Sequence, residues 1–234
     1  MTRMATFAVS LAVVFVSVVG SLADRPDPVQ HHRTVPLSAS PIHIAVVGDS
    51  YTTGSDEGGR GAAGWTELAW QILAGRGLHI RADVAAEGGA GYGIRGNRGG
   101  LFRDLAPRAV QSDDALVVFF GSRNDQDVDP GELTSMIAET LSLARLITPS
   151  ARLLVIGPPW PTSDVPGNVL RIRDILNGQA HAAGAEFVDP LAEGWFVGRP
   201  DLIGADGVHP TDAGHAYMAD KIAPLVGAQL PKLA

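Results

Sequence analysis

The sequence contains no cysteine. That excludes a disulfide framework, thiol catalysis, a thiolate metal site and lipidation of an N-terminal cysteine. A cluster of lysine or arginine is also missing: 18 basic residues stand against 25 acidic ones, for a formal net charge of −7. A nucleic-acid partner calls for a basic face, so that class is set aside. No internal repeat or low-complexity block interrupts the chain. Nor does any group of His, Asp and Glu show metal-ligand spacing beyond the residues discussed below, and neither a metal nor a cofactor is expected. With 234 residues the chain suits one domain that buries a single core.

What is present begins with MTRMATFAVSLAVVFVSVVGSLA, one early cation at Arg3, an apolar stretch, and Ser21-Leu22-Ala23. This pattern predicts a secretory signal over residues 1–23 with cleavage after Ala23. The rival reading is an uncleaved N-terminal membrane anchor, since Met4 to Ala23 approaches the roughly 20 residues that span a bilayer. Both put the working domain outside the cytoplasm, where a transient association with the cell envelope is compatible. Residues 24–41 mix prolines, charges and small polar side chains and read as a flexible leader. His31 and His32 lie inside it with no nearby carboxylate cluster, and read as part of a solvated tail rather than as metal ligands. Residues 42–234 form the expected domain, taken to be a monomer.

Within that domain apolar runs alternate with helical patterns. Strands are predicted at Ile42 to Val47, His79 to Ala86, Ala115 to Phe120, Arg152 to Gly157 and Glu186 to Val188. Helices are predicted near 62–75, 99–110, 130–147, 167–183 and 212–227. This alternation implies βαβ units, hence an α/β protein with a mostly parallel sheet covered on both faces. Asp129-Pro130-Gly131-Glu132 supplies a capping acid, a first-turn proline and a glutamate, so a helix should start there, and Pro149 should help to end it. Asp125, Asp127 and Asp129 imitate the start of a calcium loop, but Pro130 and Met136 occupy the positions that require glycine and a bidentate glutamate.

Three strand ends carry chemistry. The first apolar strand halts on Gly48-Asp49-Ser50, the third is followed by Asn124 in FFGSRND, and ADGVHPTDAGH holds Asp206 and His209 three residues apart. A histidine hydrogen-bonded to both a serine and a carboxylate can take the serine proton and activate it for attack on an acyl group. Pro210 biases His209 toward an extended backbone, and Thr211 offers a cap for the last helix.

These blocks resemble those of the SGNH hydrolases, the GDSL esterase/lipase family. Gly48-Asp49-Ser50-Tyr51 matches the first block, and Gly89 in EGGAGYG stands at the loop glycine, with Gly88 and Gly91 as neighbouring candidates. Ser122-Arg123-Asn124-Asp125 matches the Gly-x-Asn-Asp block, with Ser122 replacing its glycine, and Asp206-Gly207-Val208-His209 matches the last. The asparagine that commonly precedes the loop glycine has no counterpart in DVAAEGG. The resemblance implies a three-layer α/β/α fold with a five-stranded parallel sheet in flavodoxin-like order. It further implies a Ser50, His209 and Asp206 triad and an oxyanion hole made by the Ser50 and Gly89 backbone N–H groups and the Asn124 amide. The implied activity is that of a secreted serine esterase or lipase that hydrolyses acyl esters through an acyl-serine. Alternatives are an acyltransferase or deacetylase acting on envelope lipid or polysaccharide, and a noncatalytic carbohydrate- or lipid-binding module.

Gly91-Tyr92-Gly93-Ile94-Arg95-Gly96 satisfies the dinucleotide fingerprint in letters, yet it follows the second strand rather than the first, so a nucleotide site is not expected. Tyr51, Tyr92 and Trp160 are the aromatic candidates for the substrate pocket. Trp65 and Trp70 are five residues apart on one helix and do not share a face well. His215 lacks an aspartate at the needed spacing and is expected to be structural.

Overall fold

A computed structural model describes residues 40–230. The predicted signal segment and nearly all of the leader lie outside the described residues. Five parallel strands form one sheet: β1 (Ile42–Gly48), β2 (Ile80–Ala86), β3 (Leu116–Phe120), β4 (Arg152–Ile156) and β5 (Glu186–Val188), in the order β2-β1-β3-β4-β5. The flavodoxin-like order is thus observed. Val46 of β1 pairs with Val84 on one side and Val118 on the other, which sets β1 between two neighbours.

The period of two in each central strand divides the core. Ala45, Val47, Val117, Phe119, Leu153 and Val155 face one layer, where they meet α3 (Phe102–Ala109), α4 (Pro130–Ile147) and α5 (Gly167–Ala182). Ile44, Val46, Val118, Phe120, Leu154 and Ile156 face the other, under α2 (Trp65–Gly75) and α6 (Asp212–Gln229). Each fully buried side chain of this size contributes about 1.5–3 kcal/mol, so the sheet is held from both faces. Trp65 is buried in the second layer, and Trp70 is partly buried against the same cluster, edge-on to it.

Helix starts follow the caps. Asp129 accepts hydrogen bonds from the N–H groups of Gly131 and Glu132 and opens α4, with Pro130 in its first turn. Thr211 accepts from the Gly214 N–H and opens α6. Two expected helices start later than the periodicity suggests. Gly61–Ala63 forms a separate 3₁₀ turn before α2, and Gly99-Gly100 stay outside α3 because their backbone serves the loop described below. Short turns at α1 (Ser50–Thr53), Arg123–Asp127 and Pro200–Leu202 were not foreseen, and the first two of these bear on the site.

Candidate active site

The site lies at the carboxyl edge of the sheet, where open α/β folds leave loops to carry chemistry. As β1 ends, Asp49 caps α1 by accepting from the Tyr51 N–H at 2.9 Å, so Ser50 becomes the first residue of a single helical turn. Gly48 is required for this: a Cβ there would lie 2.2 Å from Thr52 Oγ1. On the far side of the cleft, the loop between Leu202 and α6 closes on itself through a bridge between Ile203 and Pro210 and a bond from the Gly204 N–H to the His209 carbonyl.

That loop presents the relay. Asp206 Oδ1 accepts from the backbone N–H groups of Val208 and His209 at 2.8 and 2.9 Å, which fixes the carboxylate in its own turn. Its Oδ2 is 2.5 Å from His209 Nδ1, and His209 Nε2 is 3.0 Å from Ser50 Oγ. Burial acts to raise the Asp206 carboxyl, but the His209 ring and the two backbone N–H groups outweigh it and hold it down at about 2. Asp206 is therefore an anion at neutral pH and keeps the proton of His209 on Nδ1, leaving Nε2 to accept from the serine. The Tyr51 hydroxyl donates to the Val208 carbonyl at 2.5 Å and ties the serine turn to this loop.

The opposite wall is made of backbone and buried carboxyls. Gly89 takes a positive φ of 77° in the loop after β2, a conformation that favours glycine. Among the described residues the N–H groups of Ser50 and Gly89 are not spent on any acceptor. Asp125, buried, accepts from the N–H groups of Tyr92, Gly93 and Ile94 at 3.0, 2.8 and 3.0 Å. Glu87, also buried, accepts from the N–H groups of Arg98 and Gly100. Two glycines of the dinucleotide-like run let these carboxyls approach: a Cβ on Gly91 would lie 2.4 Å from Asp125 Oδ1, and one on Gly96 2.7 Å from Glu87 Oε1. The Asn124 amide donates to the Ala90 carbonyl at 2.8 Å and stands 3.4 Å from Asp49 Oδ2. Ser122, in place of the expected glycine, donates to the same Ala90 carbonyl at 3.1 Å and accepts from the Asn124 N–H. Burial pushes Asp49 up to about 7; the Tyr51 N–H and Arg123 oppose that shift and Asp125 adds to it.

Between these walls a cavity of about 740 Å³ is lined by Ser50, Gly88, Gly89, Arg123, Asn124 and His209, among others. A family model described as GDSL-like lipase/acylhydrolase matches residues 46–217, a span that includes both walls. The chain belongs to that family. It is 58% identical over 233 residues to the GDSL lipase Rv0518 of Mycobacterium tuberculosis, covering 98% of this chain and 99% of that one. Among solved structures it is similar to TesA, with a TM-score of 0.65 and 24% identity over 80% of this chain and 99% of that chain. Another similar fold is Est24, a carbohydrate acetylesterase from Sinorhizobium meliloti, with a TM-score of 0.58 and 20% identity over 80% of this chain and 99% of that chain. This GDSL acylhydrolase is a serine hydrolase of ester bonds, and the geometry above describes how its residues are set for that chemistry.

Three aromatic expectations need correction. Tyr51 and Tyr92 are buried in the core rather than exposed to substrate: Tyr51 packs edge-on to Phe120 and Phe196, and Tyr92 lies 4.8 Å from the Phe102 ring. Each is drawn inward by the apolar layer beneath its turn, which its position beside the motif did not reveal. Trp160 is half-buried and does not line the cavity directly; the Arg123 guanidinium lies 4.0 Å over its ring. His215 is fully buried, with Nδ1 3.3 Å from the Trp65 N–H, and burial lowers it to about 4, in keeping with a structural place.

Sequence reasoning passed over Glu87, Asp125 and Arg123. For Glu87 the available signal is a carboxylate directly before a glycine-dense loop, because such a loop has many N–H groups and few internal acceptors. Asp125 lies more than 30 residues from the N–H groups that it holds and carries no such local signal. Downstream, the Asn97 backbone N–H donates to the Gly88 carbonyl at 2.9 Å and ties the Gly89 loop to the turn that follows it.

Proposed function

We propose that this acylhydrolase is a secreted esterase that hydrolyses acyl esters through a covalent acyl-Ser50. One observation carries the reading: His209 reaches Ser50 Oγ with one ring nitrogen and Asp206 with the other. In the forward step Ser50 Oγ attacks the ester carbonyl carbon as its proton passes to His209 Nε2. The tetrahedral intermediate then breaks its bond to the alcohol oxygen, which takes that proton and leaves. A water molecule enters, gives a proton to His209 and attacks the acyl carbon; collapse returns the proton to Ser50 and releases the carboxylic acid. The oxyanion formed in each half is met by the Ser50 and Gly89 N–H groups and by the Asn124 amide, which can exchange its long contact with Asp49 for the substrate oxygen.

Secretion rests on residues 1–23, whose apolar stretch ends in small residues as a signal segment does. The exposed relay, with side-chain exposure of 27% at His209 and 35% at Asp206, favours soluble short-chain esters over long acyl chains. The test is hydrolysis of an aryl-ester series of increasing acyl length by the full-length protein and by its Ser50→Ala variant. Turnover that is confined to the unmodified protein and falls with chain length supports the proposal. Equal turnover by the variant contradicts it.

A further inference from the structure

The cavity holds more positive than negative charge, although the protein as a whole is acidic. Its charged walls are Arg60, Arg98 and Arg123 against Asp56 and Glu87. Asp56 is taken by Arg60 at 2.6 Å, and the Glu87 carboxyl is turned inward to backbone N–H groups. Arg98 makes no salt bridge among the described residues, but it is exposed to water and its guanidinium donates to the Ala86 carbonyl. Arg123 is left. Among the described residues it makes no salt bridge, and its buried Nη1 has no hydrogen-bond partner.

A half-buried guanidinium without a counter-ion is costly, and native proteins seldom keep one unless something else supplies the missing partner. Here it is held in place as well. Its backbone belongs to the turn that carries Asn124, and its Cζ lies 4.0 Å over the ring of Trp160, which comes from the loop after β4. Stacking of this kind fixes the guanidinium and leaves its edge for a planar oxyanion, the geometry in which arginine binds carboxylate or phosphate through paired hydrogen bonds. Asp49 and the Tyr51 hydroxyl feel the same charge, but Asp49 lies outside salt-bridge reach and is held by the Tyr51 N–H and the Asn124 amide. The Tyr51 hydroxyl, which donates to the Val208 carbonyl, is a neutral neighbour that supplies no counter-charge.

We propose that Arg123, seated on Trp160, is an anion subsite of the catalytic cavity, so that the favoured substrates are esters bearing a carboxylate or phosphate within a few bonds of the reacting carbonyl. This rests on the ester hydrolysis proposed above and adds the class of ester to it. Because Arg123 adjoins Asn124, the bound anion and the oxyanion are held by consecutive residues, and the ester is oriented by both ends.

The test compares kcat/KM for two matched pairs with the full-length protein. One pair places the anion on the acyl side: the monoethyl ester of glutaric acid against ethyl pentanoate. The other places it on the alcohol side: 4-acetoxybenzoate against 4-acetoxybenzamide. The expected result is a preference of about tenfold or more for the anionic member of at least one pair, and the pair that shows it locates the anion. Arg123→Gln should remove most of that ratio, Arg123→Lys should retain part of it, and added salt should shrink it. A merely structural role for Arg123 would lower both members alike and leave the ratio unmoved. Ratios at or below one in both pairs, or a ratio unaffected by Arg123→Gln in a variant that still folds and turns over, overturn the subsite while leaving ester hydrolysis intact. Failure to hydrolyse all four esters removes the proposed function and the subsite together.

Discussion

The two walls of the cleft are built in opposite ways. The relay wall, Asp206 to His209, is partly exposed and local: one carboxylate holds its own turn with two backbone N–H groups and its histidine with the remaining oxygen. The wall proposed to meet the oxyanion is anchored by buried carboxyls and assembled from distant segments. Asp125 gathers the 92–94 backbone, Glu87 gathers 98–100, and Asn124 and Ser122 converge on the Ala90 carbonyl. A mobile proton needs a group that exchanges with solvent and substrate, whereas a developing negative charge needs dipoles that do not reorganise. The difference in burial follows from the difference in task.

That contrast predicts graded effects. Removing the base acts on both halves of the reaction, so His209→Ala should lower kcat by about 10⁵-fold or more while leaving the unfolding midpoint close to that of the unmodified protein. Asn124→Ala removes one oxyanion donor and should cost about 10²- to 10³-fold in kcat with a smaller change in KM. A rise in KM alone, with kcat unchanged, would show that the amide binds the ground state instead. Asp125→Ala touches no reacting atom, yet it frees three N–H groups, that of Tyr92 buried and those of Gly93 and Ile94 partly buried. It should slow turnover by about 10- to 100-fold through displacement of the loop and destabilise the fold by about 2–4 kcal/mol. Faster amide hydrogen exchange at residues 92–94 would separate this from a simple loss of stability.

The smallest effect concerns pH. Asp49 holds its proton up to about 7 in the folded state, against an ordinary value of 3.8, so between those values the folded state binds more protons and its contribution to stability is lost as pH rises. His215 runs the other way: folded, it stays neutral down to about 4 against an ordinary 6.5, so its contribution grows with pH across that range. Asp49→Asn removes the first slope and keeps the second. Urea midpoints should therefore show the variant gaining on the unmodified protein from pH 4 to 7, by at most about 1.4 kcal/mol per pH unit, and levelling off above. Parallel curves would mean that Asp49 is already ionised in the fold.

The same contrast explains what the sequence made legible. Strand and helix alternation carried the three-layer sheet, and caps such as Asp129 and Thr211 carried two helix starts, because these signals are local. The relay was legible for the same reason: Asp206 and His209 are reactive types three residues apart. On the other wall Gly89 and Asn124 were named as donors only through the family resemblance, and the carboxyls that hold their loop, Glu87 and Asp125, were not legible, since they look like ordinary surface acids until burial is known. Glycine density at 88–100 was visible, but the partners that require it, Glu87 and Asp125, lie outside that run. Tyr51 and Tyr92 were misplaced because adjacency to a motif does not say which way a side chain turns, and here the apolar layers decide.

The central claim is that Ser50 accepts the acyl group and His209 drives both its arrival and its departure. The most direct measurement is the intact and peptide mass of the full-length protein quenched in acid during turnover of an aryl acetate. The account predicts one added acetyl group located at Ser50, absent in Ser50→Ala and strongly reduced in His209→Ala. Steady turnover with no acetyl group on Ser50, or with an acetyl group on another residue that persists in Ser50→Ala, would contradict it.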